Sequence, residues 1–78
     1  MALEIQTGKT VKPQPGTLTI NFPNPFAQVP VVVVTPFWEN GNAEVDNILT
    51  LSSVTRESFT VASEIYGTTT FVSWIAIA

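Results

Sequence analysis

Thr69-Thr70-Phe71-Val72-Ser73-Trp74-Ile75-Ala76-Ile77 is the stretch whose reading decides the fold. Phe71, Ser73, Ile75 and Ile77 alternate with Val72, Trp74 and Ala76, a period of two that belongs to a strand. Upstream, Phe59, Val61 and Ser63 alternate with Thr60, Ala62 and Glu64, which predicts another strand that turns at Gly67. The same period recurs in Leu18, Ile20 and Phe22 against Thr17, Thr19 and Asn21. No segment carries a helical period, so the expected class is all-β.

Punctuation divides the rest. Leu3 and Ile5 against Glu4 and Gln6 predict a first short strand stopping at Gly8, and Lys9 to Gly16, with two prolines and a glycine in its last four residues, reads as a loop. Pro23-Asn24-Pro25 ends the second strand. Pro30 opens the run Val31-Val32-Val33-Val34-Thr35, a third strand closed by Pro36, with apolar residues on both faces and hence both faces covered. The flanking prolines read as devices against edge pairing of a valine run. Asn40-Gly41 with Asn42 is a turn signal, and a fourth strand is expected from about Glu44 to Ser52. Six short strands at this spacing predict a six-stranded antiparallel β-sandwich as a single domain over residues 1–78.

Composition bounds the chemistry. With 78 residues, no cysteine and no histidine, the chain has no disulfide, thiolate or imidazole, which removes the commonest nucleophilic and metal chemistries. A core of this size supplies roughly 3–5 kcal/mol of net stability, so oligomerisation is the remaining staple. The net charge of -3 without a basic stripe argues against nucleic acid. Neither a signal peptide nor an apolar run of membrane-spanning length is visible, so membrane insertion is not expected and action at an extracellular or virion surface would need another route. The six carboxylates, Glu4, Glu39, Glu44, Asp46, Glu57 and Glu64, lie on strand positions or in turns as solvated charges. Glu39, Glu44 and Asp46 flank one turn, yet lack the repeated spacing of a calcium loop. The expectation is no enzyme, no metal and no cofactor.

A binding end follows from topology. If consecutive strands alternate in direction, the first, third and fifth connections share one end, which collects Gln14, Trp38, Glu39, Asn40, Asn42, Tyr66, Gly67 and Thr68. The other end carries Pro23 to Phe26 and Thr55 to Ser58. Rings beside amide, carboxylate and hydroxyl groups suit a sugar, whose C–H face stacks while its hydroxyls need fixed partners. Tyr66, in a loop directly before Gly67, is the leading contact residue; Asn40 and Asn42 also form the turn, and Trp38 also covers the rim of the core. Trp74 is expected in the core or an interface.

Three stretches taken together resemble the H-type lectin domain, the family of snail agglutinins and the discoidin C-terminal domain. They are Ile20-Asn21-Phe22 with Phe26 and Pro30 to Val34; Val54-Thr55-Arg56-Glu57-Ser58-Phe59-Thr60-Val61; and Val72-Ser73-Trp74-Ile75-Ala76. Ile5-Gln6-Thr7-Gly8 is similar to the family's opening strand. The resemblance implies a sandwich assembling as a homotrimer or homohexamer that binds glycans, such as N-acetylgalactosamine-type sugars, between subunits. It also implies sugar contacts before the second strand, an arginine on the fourth strand and an aromatic-histidine pair in the last loop. Here Pro15-Gly16-Thr17 lacks the acidic residue of the first region, Asp46 to Thr50 contains no arginine, and Ile65-Tyr66-Gly67 replaces the pair. Arg56 falls at the opposite end. The expected ligand-binding residues are therefore Trp38, Glu39, Asn40, Asn42, Tyr66, Thr68 and Gly16. The expected function is a multivalent lectin-like protein of a trimer or multiple of three; the alternative is a structural module, of phage tail-fibre or toxin-complex type, that keeps the fold without sugar binding.

Overall fold

The computed structural model describes residues 3–39 and 48–78. Six strands run in order: β1 (Ile5–Val11), β2 (Gly16–Asn21), β3 (Val31–Trp38), β4 (Thr50–Val54), β5 (Ser58–Ser63) and β6 (Thr70–Ile77). They form two three-stranded antiparallel sheets, β1-β6-β3 and β2-β5-β4. The all-β, antiparallel expectation is met. The two segments with the clearest alternation, β5 and β6, are the central strands, because a central strand is packed on one face and bonded along both edges.

The inward residues of the two sheets make one core: Ile20, Phe22, Phe26, Phe59, Val61, Val72, Trp74 and Ala76, with Leu18, Val32, Val34, Leu49, Leu51 and Val54 packed against it. Phe22 sits at its middle, with ring centroids 4.9 Å from Phe26, 5.5 Å from Phe59 and 5.7 Å from Trp74. Phe59 and Trp74 meet at 5.3 Å, edge to face. Such pairs add about 0.5–1.5 kcal/mol each beyond the area they bury. They also join one sheet to the other, since Trp74 lies on β6 and Phe59 on β5. Of the two expected places for Trp74, core or interface, the fold takes the core.

Three strand boundaries differ from expectation. β1 does not stop at Gly8 but runs on through Lys9 to Val11, so the loop reduces to residues 12–15. The reason is packing: Gly8 pairs with Trp74 across the ladder, and a Cβ there would lie 2.6–2.8 Å from three atoms of the indole. Glycine at this position makes room for a ring and does not break the strand. Likewise Pro36 does not close β3, which continues to Trp38. β3 is an edge strand, where every second N–H points away from its partner, so a proline costs no ladder bond. The expected fourth strand, Glu44 to Ser52, is replaced by Thr50–Val54; residues 44–47 lie outside the described residues, and Ile48 and Leu49 precede the strand. Its register shifts between Leu51 and Ser53, with the Ser52 hydroxyl donating to the Thr60 carbonyl at 3.2 Å. The bulge blurs the alternation from which a strand is read.

Within one chain only one face of the valine run is covered, which corrects the expectation for both. Val32 and Val34 pack on the core, whereas Val31 and Val33 stand exposed.

Because Trp74 is locked between two rings and a glycine, Gly8→Ala should cost about 1–3 kcal/mol through overpacking, and Trp74→Ala about 3–5 kcal/mol through the cavity it leaves. Urea unfolding of both variants checks the order; a Gly8→Ala protein as stable as wild type would contradict the packing account.

Candidate functional site

The loop end is tied together by backbone bonds from three connections. Lys12 N–H donates to the Thr70 carbonyl at 2.8 Å, Gly67 N–H to the Lys12 carbonyl at 2.9 Å, and Glu39 N–H to the Thr69 carbonyl at 3.0 Å. Antiparallel order therefore does gather the first, third and fifth connections, as the topology requires. The second and fourth gather at the far end, where Phe22 N–H donates to the Glu57 carbonyl and Phe26 N–H to the Arg56 carbonyl.

The residues anticipated at the loop end divide. Tyr66 is exposed, at 59%, and Thr68 beside it is exposed as well. Gly16 opens β2 with φ of 95°, a left-handed conformation that only glycine adopts without strain. Trp38, the last residue of β3, is half-buried and shares the inward parity of Val32 and Val34. Glu39 does not join this group freely: its carboxylate is 2.9 Å from the Lys9 ammonium, on the outer side of the β1-β6-β3 sheet. Lys9 in turn lies 4.7 Å from the Phe71 ring centroid and 5.5 Å from that of Phe37. Asn40 and Asn42 lie outside the described residues, as do Glu44 and Asp46.

Sequence reading missed the residue at the centre of this end. Lys12, placed in a loop by its neighbours Pro13 and Pro15, is fully buried. Its ammonium donates to three carbonyls, those of Gln14 at 2.7 Å, Ser63 at 2.8 Å and Ile65 at 2.9 Å. The count matches the three hydrogens of an ammonium, which is how a buried cation is held without a buried carboxylate. Burial pushes its pKa below the usual lysine value, and the Glu64 carboxylate acts in the opposite sense. No local signal marks it, because a carbonyl cage is assembled from residues 14, 63 and 65, about fifty positions apart in the chain.

Electrostatically, both lysines of the chain are engaged, Lys12 by carbonyls and Lys9 by Glu39 and two rings. Arg56 lies at the far end. Among the described residues the loop end thus offers the Tyr66 ring, threonine hydroxyls and the Gln14 amide without an available cation, a surface matched to a neutral, hydroxyl-bearing ligand more than to an anion.

The model of the H-type lectin domain family matches residues 17–77, most of the chain, from the second residue of β2 through the end of β6. The chain belongs to the H-type lectin domain family, whose members are carbohydrate-binding and non-enzymatic. No curated protein matches it. Lys12, Gly16 and β1 precede the matched span.

Lys12→Met keeps the stem and leaves three carbonyls without their donor, at a cost of about 1–3 kcal/mol. Between the lowered pKa and the ordinary one the unfolded chain binds more protons than the folded one, so the wild type should gain stability relative to Lys12→Met as pH rises through that alkaline window. Chemical denaturation of the two proteins at stepped pH measures both effects; a gap that narrows with rising pH would contradict the assignment.

Proposed function

We propose that the protein is a multivalent glycan-binding module that assembles through the outer face of its β1-β6-β3 sheet as a trimer or a multiple of three. Its sugar sites lie at the loop end, in clefts between neighbouring subunits. The observation that carries the assembly is the contrast between the two outer faces. On the β1-β6-β3 sheet the ladder lines up Ile5, Ile77 and Val31 in one row, Ile75 and Val33 in the next, and Val11, Phe71 and Phe37 near the loop end. Val31, Val33 and Ile5 are 70%, 58% and 55% exposed. The outer face of β2-β5-β4 carries instead Thr17, Thr19, Asn21, Ser58, Thr60 and Ser53. Only the first face is apolar enough to need a cover, and a second copy of the chain supplies a matching one.

Family membership supports a carbohydrate as the ligand class, and the exposed Tyr66 ring beside Thr68 supports the loop end as its place. Copies of this end around one axis would engage a glycan-coated surface together, with an avidity gain of ~10²–10⁴ where their spacing permits. A second reading, a structural module without sugar, draws on two observations. The chain has no histidine anywhere, and Glu39 is already paired with Lys9.

A charge placed in the apolar rows should break the assembly. Val33→Asp is expected to give a smaller, folded species in light scattering, whereas a wild type that is monomeric at micromolar concentration would overturn the assembly. Tyr66→Ala should leave the mass unchanged and weaken binding to a glycan surface by about 1–3 kcal/mol per site. A glycan array decides the ligand class: a wild type that recognises no glycan leaves the structural module as the reading.

A further inference from the structure

Tyr66 is the only tyrosine of the chain, and its side chain makes no hydrogen bond among the described residues. Its place is set by its neighbours. The Ile65 carbonyl accepts from the Lys12 ammonium at 2.9 Å, and the Gly67 N–H donates to the Lys12 carbonyl at 2.9 Å. One residue therefore brackets Tyr66 from both sides. Ile65 is further held by its N–H donating to the Ser63 hydroxyl at 3.2 Å and by a side chain that is buried.

The same ammonium reaches the other loop. It donates to the Gln14 carbonyl at 2.7 Å, two residues before Gly16 opens β2, and to the Ser63 carbonyl at 2.8 Å, where Ser63 is the ladder partner of Gly16. The geometry points to Lys12 as the positioning residue of the glycan site: by holding the Gln14, Ser63 and Ile65 carbonyls on one ammonium, it sets Tyr66 against the Gly16 loop. The consequence for ligand rests on the glycan-binding reading above; the clamp itself does not. An apolar side chain would fill the same space but could not collect three carbonyls, so hydrogen-bond donors, and not volume or charge alone, carry the role.

The wild-type protein offers the first test. In nitrogen-15 NMR the Lys12 ammonium hydrogens should exchange with water at least 10-fold more slowly than those of the exposed Lys9. Equal rates would overturn the clamp without any variant.

The absence of cysteine permits the second test. Lys12→Cys, alkylated in the unfolded state by 2-bromoethylamine, forms a thioether by displacing bromide and rebuilds an ammonium of lysine length with three hydrogens. Alkylation by (2-bromoethyl)trimethylammonium rebuilds the charge without hydrogens. The aminoethyl protein should match wild type. The unalkylated and trimethylated proteins should show shifted Tyr66 ring resonances and a Gly67 amide accelerated at least 10-fold beyond the Val61 and Val72 amides, whose own acceleration reports the global loss of stability. They should bind the glycan surface that gives the strongest array signal at least 10-fold more weakly.

An unmoved Tyr66 and Gly67, acceleration of loop and core amides by the same factor, or full rescue by the trimethylated form would each overturn the proposal. If the substituted proteins do not fold, the wild-type exchange rates decide. If wild type binds no glycan, the glycan-binding reading fails while the Tyr66 and Gly67 readouts still report on the clamp.

Discussion

The packing of the Trp74 indole against Gly8 is the constraint on which the rest of the structure depends. Opposite one another in the β1-β6 ladder, the two residues let a large ring lie close to the backbone of its neighbouring strand. From there it reaches Phe59 at 5.3 Å and Phe22 at 5.7 Å in the other sheet. A sandwich of 78 residues has little interior to spare. Joining its two layers through one aromatic cluster concentrates the available burial where the sheets must meet. The cluster also explains why β1 continues past a glycine: the backbone at Gly8 covers the ring that β6 presents.

The few charges of the chain are used for placement. Lys12 is buried on three carbonyls, and Lys9 lies against two rings while pairing with Glu39. An ammonium suits such duties because it carries three donors at the tip of an apolar stem, which can pass through a packed layer. Both lysines project from or just beyond β1, one toward the inside of the loop end and the other toward the outer face of the sheet. The loop end owes its cohesion to polar contacts, whereas the middle of the sandwich owes it to rings. These are separate means of support, so the site can be disturbed without dissolving the core.

The two outer faces present opposite surfaces from the same architecture. Rows of Ile, Val and Phe cover β1-β6-β3, and rows of Thr and Ser cover β2-β5-β4. The Thr19 and Thr60 hydroxyls, 2.9 Å apart across the ladder, satisfy one another on the hydroxyl face. The apolar face has no such internal satisfaction. The proposed assembly would place cohesion on the apolar sheet face and recognition on the loop end beside it.

The alternation in Phe71 to Ile77, Phe59 to Ser63 and Leu18 to Phe22 determined the class of fold and the two faces of each strand, because period two is a property of each strand taken alone; with both faces of the last strand apolar, it left Trp74 to the core or an interface, and only the packing of the two sheets chose the core. Antiparallel order likewise made legible which connections share an end, and hence that the Gln14, Trp38 and Tyr66 to Thr68 connections meet there; Gly16 entered only through the family resemblance. The continuation of β1 through Gly8, the passage of β3 through Pro36 and the bulge at Ser52 were settled by partners across a ladder. Glycine and proline have one meaning in an isolated segment and another beside an indole or on an edge. Lys12 is the extreme case. Its neighbours in sequence are prolines and a valine, and they predict a solvated loop; its neighbours in space are carbonyls from residues 14, 63 and 65. Local pattern reports which way a side chain points, but whether three acceptors converge on its tip depends on segments brought together by folding, and only the tertiary structure holds that information.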